Sequence, residues 1–528
     1  MPVAEGATRS EAIHSHARLR TELFVLIAFS LIYFTDVAIR ASEKFFWYDE
    51  LFTVAFSRLP TFASLWAALN SGIDFNPPPF YLLTRACNQL FGEGHISTRL
   101  PEILGFWIFS LCLYRFVSRR AGIFAGVVAM LLPMLTGAYF YAYEARPHGL
   151  VLGFCGLAVV SWQVAAEQVH PRNSMLAAFS LVLFCAFMMH CFAIVLLAPF
   201  ALAELFRTFQ SRRINWSIWL ALLLPFCAAC LVYVPLLRSY KKLADATTFS
   251  KVAVAGWTQV GHFYAFLLTP CILVIVAALL AFAATLYFPE SRQDRPEPQS
   301  TVASQDFVLA LALTLLPCFG VALGKVVHGP FFHRYFMGAL AGICIAICMG
   351  AGLRARHVWL SPVLALILAS AVLLNLAKLI SERAQGKGEW LVEPSSKIAL
   401  STTPGQPMAM HSLLLSGHAS LPIAVVNPLE FFYLVQHAPT LKSHLYFVTP
   451  TASEFTYAAF TRFLQCCTPK FNTPVTYDEF ARAHANYLVY GDPGNFDQIA
   501  LLGQRGSHMD SLEVSGGHFL ARLSTRPN

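Results

Sequence analysis

Residues 215–237 read NWSIWLALLLPFCAACLVYVPLL and contain no charged side chain. Their number matches the roughly 20 apolar residues that an α-helix needs to cross the hydrocarbon core of a bilayer. The run follows Arg212 and Arg213 directly, and basic residues are typical of the cytoplasmic end of a membrane-spanning helix. The stretch therefore predicts a transmembrane helix.

Similar apolar runs recur along the chain. They lie near 22–40, 102–118, 121–140, 148–166, 174–190, 191–206, 215–237, 262–287, 305–324, 335–353 and 357–379. Together they predict about eleven spans, although 174–206 could form two short helices or one long interrupted helix, with His190 as a helix-break residue. Of the 528 residues, 56% are hydrophobic and only 12% are charged, against about 25% charged residues in soluble proteins. The chain is thus predicted to be a polytopic α-helical membrane protein.

The net charge of +8 reflects membrane topology rather than nucleic-acid binding, because the basic residues are scattered through short loops. Alternate loops carry almost only arginine. These arginines are Arg115, Arg119, Arg120, Arg172, Arg207, Arg212, Arg213, Arg292, Arg295, Arg354 and Arg356. The positive-inside rule therefore predicts a cytoplasmic N-terminus, and an odd number of spans places the C-terminal part outside the cytoplasm.

These patterns predict a cytoplasmic N-terminus at 1–21, a transmembrane domain at 22–384 and a soluble extracytoplasmic domain at 385–528. The first extracytoplasmic loop, 41–101, contains an amphipathic helical pattern at 60–70. In the last domain, PIAVV (422–426), HLYFV (444–448) and NYLVY (486–490) have strand patterns, whereas PLEFFYLVQ (428–436) has a helical one. This alternation predicts a small α/β domain with a mostly parallel sheet.

Three clusters of ionisable residues lie near predicted outer ends of spans, where such residues indicate function. The first, Asp49 and Glu50, lies in the aromatic segment FFWYDELF (45–52) and suits proton acceptance from a substrate hydroxyl. A solvated pair at a helix entry is the alternative explanation. NPPPFYLL (76–83) in the same loop predicts a rigid scaffold.

The second cluster is YAYEARPHGL (141–150), which holds Glu144, Arg146 and His148. An arginine offers a fork of donors suited to phosphate, and Glu144 could orient it. An interfacial arginine among belt tyrosines is the alternative explanation.

The third cluster is KVVHGPFFHRYFMG (325–338). It concentrates positive charge beside an aromatic side chain, which suits an anionic headgroup, while its first histidine could instead ligate a metal. The cluster consists of Lys325, His328, His333, Arg334 and Tyr335. Motifs for nucleotide hydrolysis, dinucleotide binding and zincin chemistry are missing, so the energy for a group transfer would have to come from an activated substrate.

These elements in order resemble the GT-C superfamily: a DE pair in the first outer loop, paired prolines before a tyrosine, EARP after the third span and RY between later spans. The chain is similar to bacterial family 39-type glycosyltransferases, the relatives of protein O-mannosyltransferases and of the lipid A aminoarabinose transferase. The resemblance covers roughly 20–350. It implies a multi-span enzyme of the bacterial inner membrane whose active site lies on the extracytoplasmic, periplasmic face and whose donor is a polyprenyl-phosphate-linked sugar.

The resemblance also implies roles for individual residues. Asp49 matches the base beside the acceptor, and Glu50 matches an acidic position near the donor or a metal. Arg146 and Arg334 match basic positions near the lipid phosphate. One departure is Asn76, which stands where the aminoarabinose branch commonly has lysine and other members often have histidine. It argues against the aminoarabinose activity and leaves open a divalent metal, for which Glu50 and His328 are the candidates.

The chemistry expected is sugar transfer from a polyprenyl-phosphate donor to a lipid, glycan or protein acceptor. Asp49 would deprotonate the acceptor, and Arg146, Lys325 and Arg334 would stabilise the departing phosphate. The side chains of Glu144, His148, His333 and Tyr335 are expected to contact substrate. Two other functions compete with this one: a transporter or flippase of lipid-linked sugars, and a non-catalytic membrane scaffold.

Overall fold

The computed structural model describes residues 3–44, 46–70, 74, 76–167, 173–246, 255–287, 303–327, 331–353, 359–385, 420–437, 441–449, 475–491, 507–515 and 518–524. The helices are α1 Val3–Glu43, α2 Tyr48–Ser57, α3 Phe62–Asn70, α4 Pro78–Phe91, α5 His95–Ala121, α6 Ile123–Leu131, α7 His148–Ala166, α8 Asn173–Met189, α9 Leu197–Ser211, α10 Trp216–Ala246, α11 Thr258–Leu268, α12 Ile272–Tyr287, α13 Ser304–Thr314, α14 Leu316–Val327, α15 Ala339–Leu353, α16 Leu360–Ala384, α17 Pro428–His437 and α18 Tyr477–Ala483. The strands are β1 Ile423–Val425, β2 Leu445–Thr449, β3 Val475–Thr476, β4 Asn486–Gly491, β5 His508–Ser515 and β6 His518–Ser524.

Apolar helices dominate the fold. In the described ranges, seven helices are long and apolar enough to cross a membrane, or up to nine if each of two bent pairs forms one span. Each of the eleven predicted runs overlaps one of these helices, one of the bent pairs or one of two shorter apolar helices, Asn173–Met189 and Ala339–Met349. The predicted polytopic helical class is confirmed, and eleven spans remain a prediction.

Both bent pairs contain a proline near the break. The run 121–140 bends by 77° after the 3-10 helix Leu132–Leu135, which includes Pro133. The run 305–324 bends by 52° between α13 and α14, where Pro317 follows Leu316. Because proline removes a backbone donor and crowds the preceding turn, a helix is expected to kink at these points.

Backbone contacts divide the chain into two units. The bundle unit comprises Met1–Ala41, Leu100–Ala229 and Val254–Ser381, and the α/β unit comprises Ser42–Arg99, Cys230–Ala253 and Glu382–Asn528. The first extracytoplasmic loop of the sequence prediction is thus grouped with the C-terminal domain.

Within the bundle unit, α5 and α7 approach each other closely through small residues. A Cβ added to Gly153 would lie 2.6 Å from the carbonyl oxygen of Gly105, so only glycine permits this packing. Close approach through small residues is a common way for membrane helices to associate. It brings the N-terminal halves of the two helices side by side.

The opposite ends of α5 and α7 are joined by charged side chains. Arg120 pairs with Asp306 at 2.9 Å and with Glu167 at 2.7 Å, and Arg119 also pairs with Glu167 at 2.7 Å. Asp306 is fully buried. We call these four residues the arginine network; they link α5, the end of α7 and α13.

The C-terminal part of the α/β unit contains a six-stranded sheet in the order β3-β2-β1-β4-β6-β5. Strands β1 to β4 pair in parallel, and β6 and β5 add antiparallel strands at one edge. The three predicted strands coincide with β1, β2 and β4, and the predicted helix coincides with α17. The predicted small α/β domain is confirmed.

Candidate active site

Three separate turns of the bundle unit line one cavity. His148 is the first residue of α7, His190 separates α8 from the 3-10 helix Cys191–Leu196, and Arg334 and Tyr335 belong to the 3-10 helix His333–Phe336. Apolar side chains such as Leu316 complete the wall. Polar groups grouped among apolar side chains are typical of small-molecule sites. The cavity has a volume of about 20 Å³, which is room for about one water molecule, so a larger ligand would have to move the lining side chains apart.

His190 is held in a single orientation. Its Nδ1 accepts a hydrogen bond from the backbone N–H of Phe192 at 3.1 Å. In the neutral ring the proton therefore resides on Nε2, which becomes the donor nitrogen. The ring centroid lies 5.3 Å from that of His148 and 4.8 Å from that of Tyr335. The ring of Phe192 stacks on that of Tyr335 at a centroid distance of 4.2 Å and so helps to hold Tyr335 in place.

The hydrogen-bonding capacity of His148 is only partly used. His148 is buried, and its Nε2 has no hydrogen-bond partner in the part of the chain that the structure describes. A buried polar atom without a partner costs about 1–3 kcal/mol, and such atoms in native proteins require an explanation. Because this ring lines the cavity, a ligand that hydrogen-bonds to Nε2 would supply one.

The two arginines predicted to contact phosphate lie close to His148. Both Arg146 and Arg334 are within electrostatic range of its ring. The Arg334 guanidinium also lies over the rings of Phe332, at 5.2 Å, and Tyr335, at 5.7 Å. Stacking of this kind holds the planar fork of donors in a fixed orientation.

Glu102 is a buried carboxylate that the sequence analysis did not identify. It accepts a hydrogen bond from the backbone N–H of Leu150 at 2.7 Å and is also bonded by the N–H of Gly149. These donors belong to the first turn of α7, where a carboxylate is favourable. Glu102 lies within electrostatic range of Glu144 and Arg146 and so helps to place the segment that leads into His148.

Two other residues of the third predicted cluster, Lys325 and His333, are not among the described residues that line the cavity. Lys325 is exposed on α14, with its ammonium 5.3 Å from the ring of Trp257. His333 stacks on Phe266 at 6.0 Å. His328 lies outside the described residues. Of this cluster, only Arg334 and Tyr335 are among the lining residues.

In the α/β unit, Glu50 is tied into a buried ion pair. Its carboxylate accepts two hydrogen bonds from Arg99, at 2.7 and 2.9 Å, and one from the backbone N–H of Trp47 at 3.2 Å. The Nζ of Lys44 lies 3.5 Å away. Arg99 also donates to the carbonyl oxygen of Lys44 at 2.8 Å and lies over the ring of Phe46. Bidentate pairs of this kind fix geometry strongly.

These contacts do not fit a metal site at Glu50. Two cationic side chains lie at its carboxylate, and they would repel a divalent ion. Nor do the described ranges contain a group of three or more histidine, cysteine, aspartate or glutamate side chains close enough to hold a metal ion.

Asp49 has a different environment from its neighbour. It lies in the first turn of α2 and is half-buried, whereas Glu50 is fully buried. Adjacent residues of a helix point about 100° apart, so α2 directs Glu50 toward Arg99 and Asp49 toward another side. Of the two predicted catalytic carboxylates, Asp49 is the less buried.

The proline segment supports α2. Pro77 and Pro78 begin α4, as proline commonly does at a helix start. Along α4, Tyr81 contacts the ring of Phe56 at 5.0 Å, and Arg85 donates to the carbonyl oxygen of Ser57 at 2.9 Å. The helix that carries Asp49 is therefore braced by α4 as well as by Arg99.

Known structures share this fold. The crystal structure of ArnT from Cupriavidus metallidurans bound to undecaprenyl phosphate is similar over 95% of this chain and 97% of that one, with a TM-score of 0.52 and 15% sequence identity. The apo structure of the same protein covers the same shares with a TM-score of 0.55 and 14% identity. No protein-family model and no curated protein matches the chain in sequence. At 14–15% identity the comparison shows that the chain shares the overall fold of ArnT, a multi-span membrane-protein fold as the resemblance implied.

Proposed function

We propose that the chain is a membrane glycosyltransferase that moves a sugar from a polyprenyl-phosphate donor to an extracytoplasmic acceptor. The observation that carries the proposal is the cavity lined by His148, His190, Arg334 and Tyr335, in a fold shared with a protein bound to undecaprenyl phosphate. Cationic and aromatic side chains among apolar helices have the chemistry that suits a phosphate attached to a long apolar chain, and the cavity would widen to admit it.

The donor phosphate would be held by Arg146 and Arg334. Guanidinium groups present paired N–H donors that match phosphate oxygens. His190 adds a donor at Nε2, because its Nδ1 already accepts from Phe192. His148, whose Nε2 has no partner in the described chain, gains one when the phosphate binds. Lys325 is exposed, and the turnover of a Lys325→Ala variant would test its predicted role at the phosphate.

The proposed reaction is a direct transfer of the sugar from the lipid phosphate to the acceptor. Asp49 accepts the proton of an acceptor hydroxyl, and the resulting oxygen attacks the anomeric carbon of the sugar. The bond between that carbon and the phosphate oxygen breaks, and its electron pair leaves with the lipid phosphate. Arg146 and Arg334 stabilise the phosphate as its charge increases. A single displacement of this kind inverts the configuration at the anomeric carbon.

Glu50 would act differently from Asp49. Since its carboxylate is occupied by Arg99 and by the Trp47 N–H, it serves to fix the start of α2 rather than to accept a proton. Glu144 and Glu102 would likewise hold Arg146 and His148 in place. General-base catalysis by Asp49 is expected to contribute about 10²–10⁴-fold to the rate.

We place this site on the extracytoplasmic side of the bacterial inner membrane, with the N-terminus in the cytoplasm. The support is the distribution of arginines in the sequence together with their positions. The arginine network lies at the ends of α5 and α7 opposite to His148, and its arginines belong to a predicted inner loop. The acceptor is a lipid, a glycan or a protein of the cell envelope.

The test is mass spectrometry of envelope lipids, glycans and proteins from a strain in which the gene is deleted. One hexose, pentose or amino sugar should disappear, and the full-length wild-type chain should restore it. Asp49→Asn should not restore it, although it should reach the membrane in normal amounts. Glu513→Gln, which removes an exposed carboxylate of β5, is the matched control and should restore the sugar fully.

Two results would count against the proposal. An envelope unchanged by the deletion would exclude a transferase, and full restoration by Asp49→Asn would remove Asp49 from the chemistry. Transfer should also persist in detergent with polyprenyl-phosphate sugars extracted from the same strain. A flippase gives no product under that condition, because it only moves lipids across a membrane.

A further inference from the structure

Helix α17 of the C-terminal domain has two packed faces. The first faces the sheet: Phe431 is buried, and its ring contacts Phe447 of β2 at a centroid distance of 5.6 Å. Leu434, one turn further along, is also buried. This face fixes α17 to the hydrophobic core of the domain.

The second face of α17 contacts α2. Phe432 is buried, and its ring lies 6.2 Å from that of Phe52. One turn later, the side-chain oxygen of Gln436 accepts a hydrogen bond from Arg58 at 3.0 Å. Residues four apart lie on the same side of a helix, so Phe432 and Gln436 form one continuous contact surface.

Helix α2 is also the helix that carries Asp49. Phe52 lies three residues after Asp49, and residues at this spacing are neighbours on a helix surface. The contact with α17 is therefore adjacent to the catalytic carboxylate. On another side, α2 is held by the ion pair between Glu50 and Arg99.

We infer that the C-terminal α/β domain is part of the catalytic machinery and that it positions Asp49 through α17, with Phe432 and Gln436 as positioning residues. The inference rests on the proposed function, in which Asp49 is the base. It gives the domain a role on the acceptor side of the reaction. An appended module that only recruits partners would need no contact with this helix.

The physical effect expected is a loss of alignment. Removing the ring of Phe432 takes away the contact that joins Phe52 to α17, so α2 can shift or rotate. Displacements of about 1 Å at a reacting group can lower the rate by about 10²-fold. Phe432→Ala should therefore lower kcat by about 10- to 100-fold. The KM for the donor should stay within about threefold, because Arg146 and Arg334 belong to other segments.

The experiment uses the full-length protein in detergent, with donor lipids and acceptor extracted from the membranes of the source strain. Phe432→Leu keeps most of the apolar volume and should recover most of the activity. Gln436→Ala should cause a smaller loss. Val514→Ala, at an exposed position of β5 in the same domain, is the control for general effects on the sheet.

A double variant separates positioning from simple destabilisation. If Phe52 and Phe432 act through each other, Phe52→Ala combined with Phe432→Ala should be no slower than the worse single variant. Additive losses would overturn the inference, as would unchanged kcat in Phe432→Ala or an equal loss in Val514→Ala. Failure of the wild-type protein to transfer any sugar would instead overturn the proposed function, and this inference with it.

Discussion

The two ends of α5 and α7 show two ways of handling charge in a membrane protein. At one end, charges of opposite sign pair with one another: Arg119 and Arg120 pair with Glu167, and Arg120 also pairs with Asp306, at distances of 2.7–2.9 Å. Each carboxylate in this network therefore has a cationic partner, although Oδ1 of Asp306 has no hydrogen-bond partner among the described residues.

At the other end, the polar side chains surround a cavity. His148, His190 and Arg334 line it, and the Nε2 of His148 has no hydrogen-bond partner within the described residues. The comparison shows that an ionisable side chain near a helix end does not by itself indicate function. Carboxylates and guanidinium groups that neutralise one another indicate a structural role, whereas cationic and unpartnered polar groups that line a cavity indicate binding.

The largest effect is expected from breaking the arginine network. Arg120→Ala would leave the buried Asp306 without its cationic partner, and such a loss costs about 3–5 kcal/mol. The free energy of unfolding, measured in detergent by denaturant titration, should fall by that amount. Any protein that remains folded should transfer sugar normally, because the network contacts no substrate.

Arg119→Ala is the matched control. Arg119 is partly exposed and contacts only one carboxylate among the ion pairs described here, so its removal should cost less than about 1 kcal/mol. Equal destabilisation by the two variants would show that burial of Asp306 does not determine the energy of the network.

The second largest effect is expected on turnover, from removing Arg334 from the cavity. Arg334→Ala should lower turnover by about 10²–10³-fold, the loss typical of removing one preorganised donor from a developing negative charge. Arg334→Lys should recover only part of it, because an ammonium lacks the planar fork. The free energy of unfolding should change little, since Arg334 is only half-buried. A large destabilisation with normal turnover would assign Arg334 to structure.

A third variant tests whether Lys325 belongs to the phosphate site. Its ammonium lies over Trp257, a contact worth about 0.5–1 kcal/mol at an exposed position. Lys325→Ala should therefore reduce turnover by less than about fivefold, as measured in the same transfer assay. A loss as large as that of Arg334→Ala would place Lys325 at the phosphate, as the sequence analysis predicted.

The fold could be predicted from the sequence because apolar runs and strand patterns are local signals. All but the first residue of the run 215–237 lies within α10, and NYLVY falls within β4. The bends near Pro133 and Pro317 were not predicted, although both prolines are visible in the sequence.

The site could be predicted only in part. Arg146, His148, Arg334 and Tyr335 stood in recognisable clusters and lie together in the bundle unit. Arg99 was missed because its partner Glu50 is 49 positions away, and no sequence spacing indicates such a pair. His190 looked like an isolated helix-break residue. It does break the helix, but it also lines the cavity, which only the packing of three turns reveals.

The smallest effect is expected from His148→Phe, a variant that should change stability and donor binding in opposite directions. His148→Phe keeps the ring that contacts Tyr141 at 5.1 Å and His190 at 5.3 Å, but it removes the Nε2 atom that has no partner in the described chain. Burying such an atom is unfavourable, so the unliganded variant should be more stable than wild type by about 1 kcal/mol.

The same substitution should weaken donor binding. If a phosphate oxygen or hydroxyl completes the hydrogen bonding of His148, its loss should raise the KM for the donor by about tenfold, the equivalent of one hydrogen bond of about 1.5 kcal/mol. Unfolding in detergent and steady-state kinetics would measure the two quantities on one preparation. A variant that gains stability and keeps its KM would show that Nε2 is an unsatisfied atom with no ligand. A variant that loses stability would show that His148 belongs, like the arginine network, to the structure alone.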